Sequence, residues 1–162
     1  RTHAMMLSRR TLMLSAAATV ALPLPAFAAD GPRWYDAGQG LAASGRDVVA
    51  YFSLSSKRAD GVLGSADFST MHKGTTFQFA SAENLATFQG NPDKYAPRYG
   101  GHCAFAMSRN YFASGDPDAW TIHDGALFLN VSKLIRTRWA LNITSNVASG
   151  NTNWDGHYPG EV

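Results

Sequence analysis

The chain has 162 residues, 45% of them hydrophobic, with fourteen Lys and Arg against twelve Asp and Glu for a formal net charge of +2. Three of the arginines and none of the acids fall within the first 28 residues. The remainder therefore carries eleven basic and twelve acidic side chains, with no basic run that would mark a nucleic-acid or anionic-membrane binder. The single cysteine, Cys103, excludes a disulfide-stapled scaffold.

Residues 1–28 read as an export signal peptide. Ser8-Arg9-Arg10-Thr11-Leu12-Met13 is a charged start, Leu12 to Leu24 is an alanine-rich apolar run too short to span a bilayer comfortably, and Ala26-Phe27-Ala28 is a small-x-small cleavage site. The paired arginines resemble the twin-arginine signal for folded, often cofactor-loaded cargo, and an ordinary secretory leader is the alternative. Either Met5 or Met6 can be the start. Cleavage leaves about 130 residues, enough for one domain with one core and no transmembrane anchor.

Residues 29–45 carry little periodicity, and Gly38, Gly40 and Gly45 suggest an extended lead-in. Domain 46–150 follows. Val48 to Phe52 is an apolar run without alternation, either a buried strand or a buried helical turn, and Ser53 to Gly64 is a polar loop. Thr75 to Ala80 alternates with Phe77 and Phe79 on one face, a strand entered through Gly74. Ser81 is a good N-cap for a helix over 82–89 that Gly90 ends, and Pro92 suits the first position of a further turn. The spacing predicts a strand over 102–107, with Cys103, Phe105 and Met107 on one face and His102 on the other. Asp116-Pro117 suits a short helical turn. Asp124-Gly125 is a two-residue hairpin signal that pairs His123 with Ala126, Ile122 with Leu127 and Trp120 with Leu129, leaving Thr121 and His123 off the core face. Leu134, Ile135, Trp139, Ile143 and Val147 recur at near-helical spacing, interrupted around Asn142. Residues 151–162 read as a loose tail held at most by Trp154. The expected architecture is α+β, a single domain with a small antiparallel sheet over 75–80, 102–107 and the 120–130 hairpin, packed by helices.

Several segments in order, Gly45-Arg46-Asp47-Val48-Val49-Ala50-Tyr51-Phe52, His72-Lys73-Gly74, Phe77-x-Phe79-Ala80-Ser81-x-Glu83-Asn84, Asn91-Pro92-x-Lys94-Tyr95-Ala96-Pro97, Tyr99-Gly100-Gly101-x-Cys103-Ala104, Gly115-Asp116-Pro117-x-Ala119-Trp120 and Asp124-Gly125-x-Leu127-x-Leu129-Asn130, resemble the exported bacterial YHS-domain proteins. The resemblance covers nearly all of the chain after the leader. It implies a small α+β module related to metal-binding treble-clef domains, some of which are attached to heavy-metal transporters. Those versions carry an early cysteine in an Asp-Pro-Val-Cys pattern. Here Asp47-Val48-Val49-Ala50 stands in its place, so a metal site built on that cysteine is absent. The later cysteine, Cys103, is kept, at a position that in some relatives carries selenocysteine, which implies redox or soft-metal chemistry.

Cys103 has three readings: core packing, metal ligation or thiol redox. Thiolate, thioether and imidazole together suit copper or another soft transition metal, and the candidate ligands are Cys103, His102, His72 and Met107, with Met71 also near in sequence. The Gly100-Gly101 pair removes side chains where a ligand can approach. Asp47 is a ligand, a base or an ordinary cap. A periplasmic binding module for a metal ion or small molecule leads, with a metal-trafficking or redox protein as partner. The alternative is a thiol-dependent oxidoreductase in which Cys103, lacking a resolving cysteine, is reduced by an external thiol. Cysteine hydrolysis has no nucleophile signature here. Cys103 is expected near the surface of a pocket, with His72 or His102 as its nearest imidazole.

Overall fold

Two antiparallel hairpins organise the computed structural model, which describes residues 31–56 and 58–162. The first joins β1 (Ser65–His72) to β2 (Thr75–Phe79), and the second joins β3 (Asp116–His123) to β4 (Ala126–Asn130). Each closes through two residues of positive φ, Lys73-Gly74 at 46° and 88° and Asp124-Gly125 at 48° and 73°. That pairing matches the right-handed twist of the flanking strands. The expected register of the second hairpin holds at all three pairs.

The helices are α1 (Ala82–Gly90), α2 (Pro92–Tyr95), α3 (Ala104–Met107), α4 (Lys133–Ala140) and α5 (Ile143–His157). Ser81 caps α1 by accepting from Asn84 N–H at 3.1 Å, and Ser132 caps α4 from Ile135 N–H at 3.2 Å. Pro92 opens α2 as expected. Short 3-10 turns cover Ala42–Gly45, Ala50–Ser53 and Arg98–Gly101.

The class is α+β, but several local expectations are corrected. The strand over 102–107 is reduced to a one-residue parallel bridge between Cys103 and Leu129, after which Ala104–Met107 is helical. Short apolar runs fit either structure, and Ala104 and Ala106 favour the helix once neighbours bury every side of it. The sheet is accordingly two separate two-stranded sheets. Strand β1 has no counterpart in the sequence reading, because most of its residues are polar and only Phe68 and the His72 ring pack on the core. Asp116-Pro117 begins β3 instead of a helical turn. Finally, residues 151–157 continue α5, with Trp154 2% exposed, so the loose tail is confined to the last few residues. The lead-in is also partly core, since Ala42 and Ala43 are buried. The leader expected over 1–28 lies outside the described residues.

Strand β4 is buried on both faces and divides two cores. Leu127 and Leu129 join Val48, Tyr51, Phe77, Phe79 and Phe88 on one side. Ala126 and Phe128 join Tyr99, Met107, Trp139 and Trp154 on the other. Thr121, expected to face outward, is buried for the same reason: α4 and α5 cover the face that a hairpin with one core would leave wet.

Candidate functional site

Cys103 is the N-cap of α3 and is 1% exposed. Its N–H donates to Ala113 O at 3.0 Å and its carbonyl accepts from Met107 N–H at 2.9 Å. The thiol donates to Asn130 Oδ1 at 3.6 Å, and the same oxygen accepts Phe105 N–H at 3.1 Å. Because the Phe105 N–H requires an acceptor, the wholly buried Asn130 amide must present oxygen, not nitrogen, to the sulfur. A nucleophilic or metal-bound cysteine is a thiolate, which here would face that oxygen with no proton between them. The expected placement at a pocket surface is thus overturned; the sulfur is enclosed against the Asn130 amide oxygen.

The other candidate ligands are not gathered around it. His102 is buried, its Nε2 donating to Pro32 O at 2.7 Å, and its ring packs against Tyr35, Phe112 and Trp154. Burial holds its pKa below the usual imidazole range, against opposing help from the Pro32 and Ala113 carbonyls. Pro32 O can only accept, which assigns a proton to Nε2. His72 lies in a different ring cluster, against Trp34, Phe77 and Phe88. Desolvation, then the positive charge of Lys73, lowers its pKa, so the 3.5 Å approach to Asp93 Oδ1 is not a charged pair at neutral pH. Met107 follows Cys103 by one turn but packs in the second core, and Met71 is 74% exposed on the outer face of β1. Among the described residues no group of three or more His, Cys, Asp or Glu could hold a metal ion. The donor set does not fit copper as it stands. Asp47, wholly buried, accepts from Val49, Ala50 and Ala80 N–H and from Asn84 Nδ2, and is a structural hub.

A cleft of about 160 Å³ lies elsewhere, between the lead-in, the turn after α2 and the end of α5. That volume holds a molecule of a few heavy atoms and is below the roughly 300–1,000 Å³ of drug-sized sites. Its cations are Arg33, Lys73 and Arg98, and its carboxylates are Asp93 and Glu161. Lys73 Nζ sits 3.0 Å from Asp93 Oδ1, which holds that carboxyl below the usual range, and Arg33 pairs with Glu161. Arg98, half-buried, has no hydrogen bond or ion pair among the described residues.

The cleft wall is a strained turn. Tyr99, Gly100 and Gly101 have φ of 56°, 60° and 80°. For Tyr99 this conformation costs on the order of 1–2 kcal/mol. Tyr99 is held there by its hydroxyl, which donates to Asn151 Oδ1 at 2.8 Å and lies 3.2 Å from Val147 O, and by ring contacts with Phe128 and Trp154. Burial raises the Tyr99 pKa, so the phenol stays neutral. Gly100 is required for a second reason: a Cβ there would lie 1.6 Å from Arg33 O. The lead-in runs directly over it, with Tyr35 N–H donating to Gly100 O at 2.9 Å. Arg33 and Trp34 are thereby fixed at the cleft mouth, Trp34 also through Nε1–H to Lys73 O at 3.0 Å.

The sequence reading flagged the glycine pair but placed the open side at Cys103, after it, whereas the cleft lies before it at Arg98. Arg33 and Arg98 carried no signal, since isolated arginines in loops are ordinary surface residues. Compared with family models, with curated proteins and with solved structures, the chain shows no match.

Proposed function

We propose that this chain is an exported, YHS-like periplasmic binding module that holds a small molecule in the Arg33–Trp34–Arg98 cleft, with Cys103 as a packing residue outside it. One observation carries this: Arg98, a half-buried residue with no hydrogen bond or ion pair among the described residues, stands in a concave site whose wall is a strained turn. Backbone strain of this kind clusters where a ligand is to be met, and a guanidinium without a protein partner is free to meet one. Trp34 and Trp154 line the seat and supply part of its apolar surface.

Trp34 and Trp154 line the cleft, while Trp120 and Trp139 are buried away from it, so tryptophan fluorescence reports occupancy. A screen of small metabolites is expected to yield saturable changes that Trp34→Phe removes. Changes that persist in Trp34→Phe and Arg98→Met alike would place the ligand elsewhere.

A role for Cys103 in copper binding or thiol redox requires the sulfur to leave its enclosure. Cu(I) competition settles it: equal affinity in wild type and Cys103→Ser eliminates the metal role, and a thiol that alkylates only on unfolding eliminates the redox one.

A further inference from the structure

We infer that the cleft, on the reading of it as the ligand seat, takes a small organic carboxylate, and that Glu161 of the chain itself is the competitor which the ligand displaces. Glu161 follows α5 at a bend where Gly160 N–H donates to Asp155 Oδ1 at 2.8 Å, and this bend turns the chain back over the cleft. Its carboxylate reaches Arg33, whose guanidinium also lies 5.3 Å from the centre of the Tyr158 ring. One arginine of the site therefore already holds a carboxylate, supplied in cis, and the other, Arg98, holds none.

The charge balance points the same way. Of the three cations, Lys73 and Arg33 are paired with Asp93 and Glu161, and Arg98 alone has no carboxylate within ion-pair distance among the described residues, although Val162 also lines the cleft. A planar guanidinium with a free fork binds carboxylate in two parallel hydrogen bonds, which a neutral ligand cannot match. A dicarboxylate of four carbons fits the volume; a nucleotide does not. Placing one carboxylate on Arg98 and the other on Arg33 requires Glu161 to let go. An internal competitor lowers apparent affinity by the fraction of molecules in which the site is free. The segment after α5 is thus a tether that sets the threshold for ligand.

The test uses succinate as probe, succinamide as its neutral counterpart and inorganic phosphate as a second anion, read by tryptophan fluorescence on the full chain after the leader. Succinate is expected to saturate, Glu161→Gln to tighten it threefold or more, and Arg98→Met to weaken it tenfold or more, with Arg98→Lys between. Circular dichroism of each variant guards against misfolding, and neither substituted side chain is buried in the cores. Succinamide binding as well as succinate, or Glu161→Gln leaving affinity unchanged or weaker, overturns the inference while the cleft remains a ligand seat. Phosphate binding without succinate binding overturns the carboxylate. Saturation by none of the three, with Arg98→Met indistinguishable from wild type, removes both the inference and the seat.

Discussion

The core that holds Phe77, Phe79 and Phe88 is joined by a buried carboxylate as well as by close approaches at Gly61 and Gly64, whereas the core that holds Tyr99, Trp139 and Trp154 has close approaches and, among the described residues, no buried carboxylate. In the first, Asp47 satisfies four donors, Val49 and Ala50 of its own turn and Ala80 and Asn84 at the junction of β2 and α1, so one side chain joins two segments distant in sequence. In the second, Gly100 lies under Arg33 O, a Cβ on Gly115 would fall 1.9 Å from Gly101 O, and a Cβ on Gly150 would fall 2.6 Å from the Tyr99 hydroxyl. A hydrogen-bonded hub specifies one arrangement through its acceptor geometry. A contact through missing side chains specifies it through shape, without engaging the side chains beside it. The cleft forms at the second kind of joint.

The sharpest break in this contrast is Asp47→Asn. It replaces one buried acceptor with a donor facing other donors, and is expected to cost about 3 kcal/mol or more in urea unfolding. A loss below about 1 kcal/mol would mean that the hub is not what joins the first core.

Gly100→Ala is expected to cost somewhat less, about 2–3 kcal/mol, because the lead-in can lift away to relieve the clash while the φ penalty of roughly 1–2 kcal/mol remains. Its signature is selective: succinate binding is lost and Trp34 emission shifts, with the first core intact by amide exchange. Uniform loss of protection across both cores would contradict the division.

Acid exposes the second core next. Burial holds His102 below its ordinary value near 6.5, so the unfolded chain takes up the proton first. Stability is therefore complete above about pH 6.5 and falls as pH drops from there through the folded value, with His72 contributing in the same direction. His102→Gln keeps a donor for Pro32 O and removes the titration. The difference in melting temperature between pH 7.5 and 5.5 should shrink in this variant; an unchanged difference would assign the slope to other groups.

The smallest effect is expected from Cys103→Ser. Serine can still donate to Asn130 Oδ1, so the cost is about 1 kcal/mol from a slightly smaller, more polar group in a closed space. Succinate affinity should match wild type. A large loss of affinity would return Cys103 to the site.

Much of the first core could be read from residue order alone. Phe77 and Phe79 alternate, Ser81 precedes a helical stripe, and Asp124-Gly125 forces a two-residue turn with fixed register, each a consequence of local geometry acting over a few residues. The soft-ligand grouping of Cys103, His102, His72 and Met107 rested instead on residue type, which says nothing of distance, and the folded chain separates the two imidazoles into different ring clusters. What only tertiary structure decided is the second core and its cleft. Whether Cys103 to Met107 is strand or helix depends on how many sides are covered, and whether Arg98 is a surface charge or a ligand group depends on the lead-in crossing Gly100. Both are set by contacts spanning tens of residues, where local propensity is silent and packing chooses.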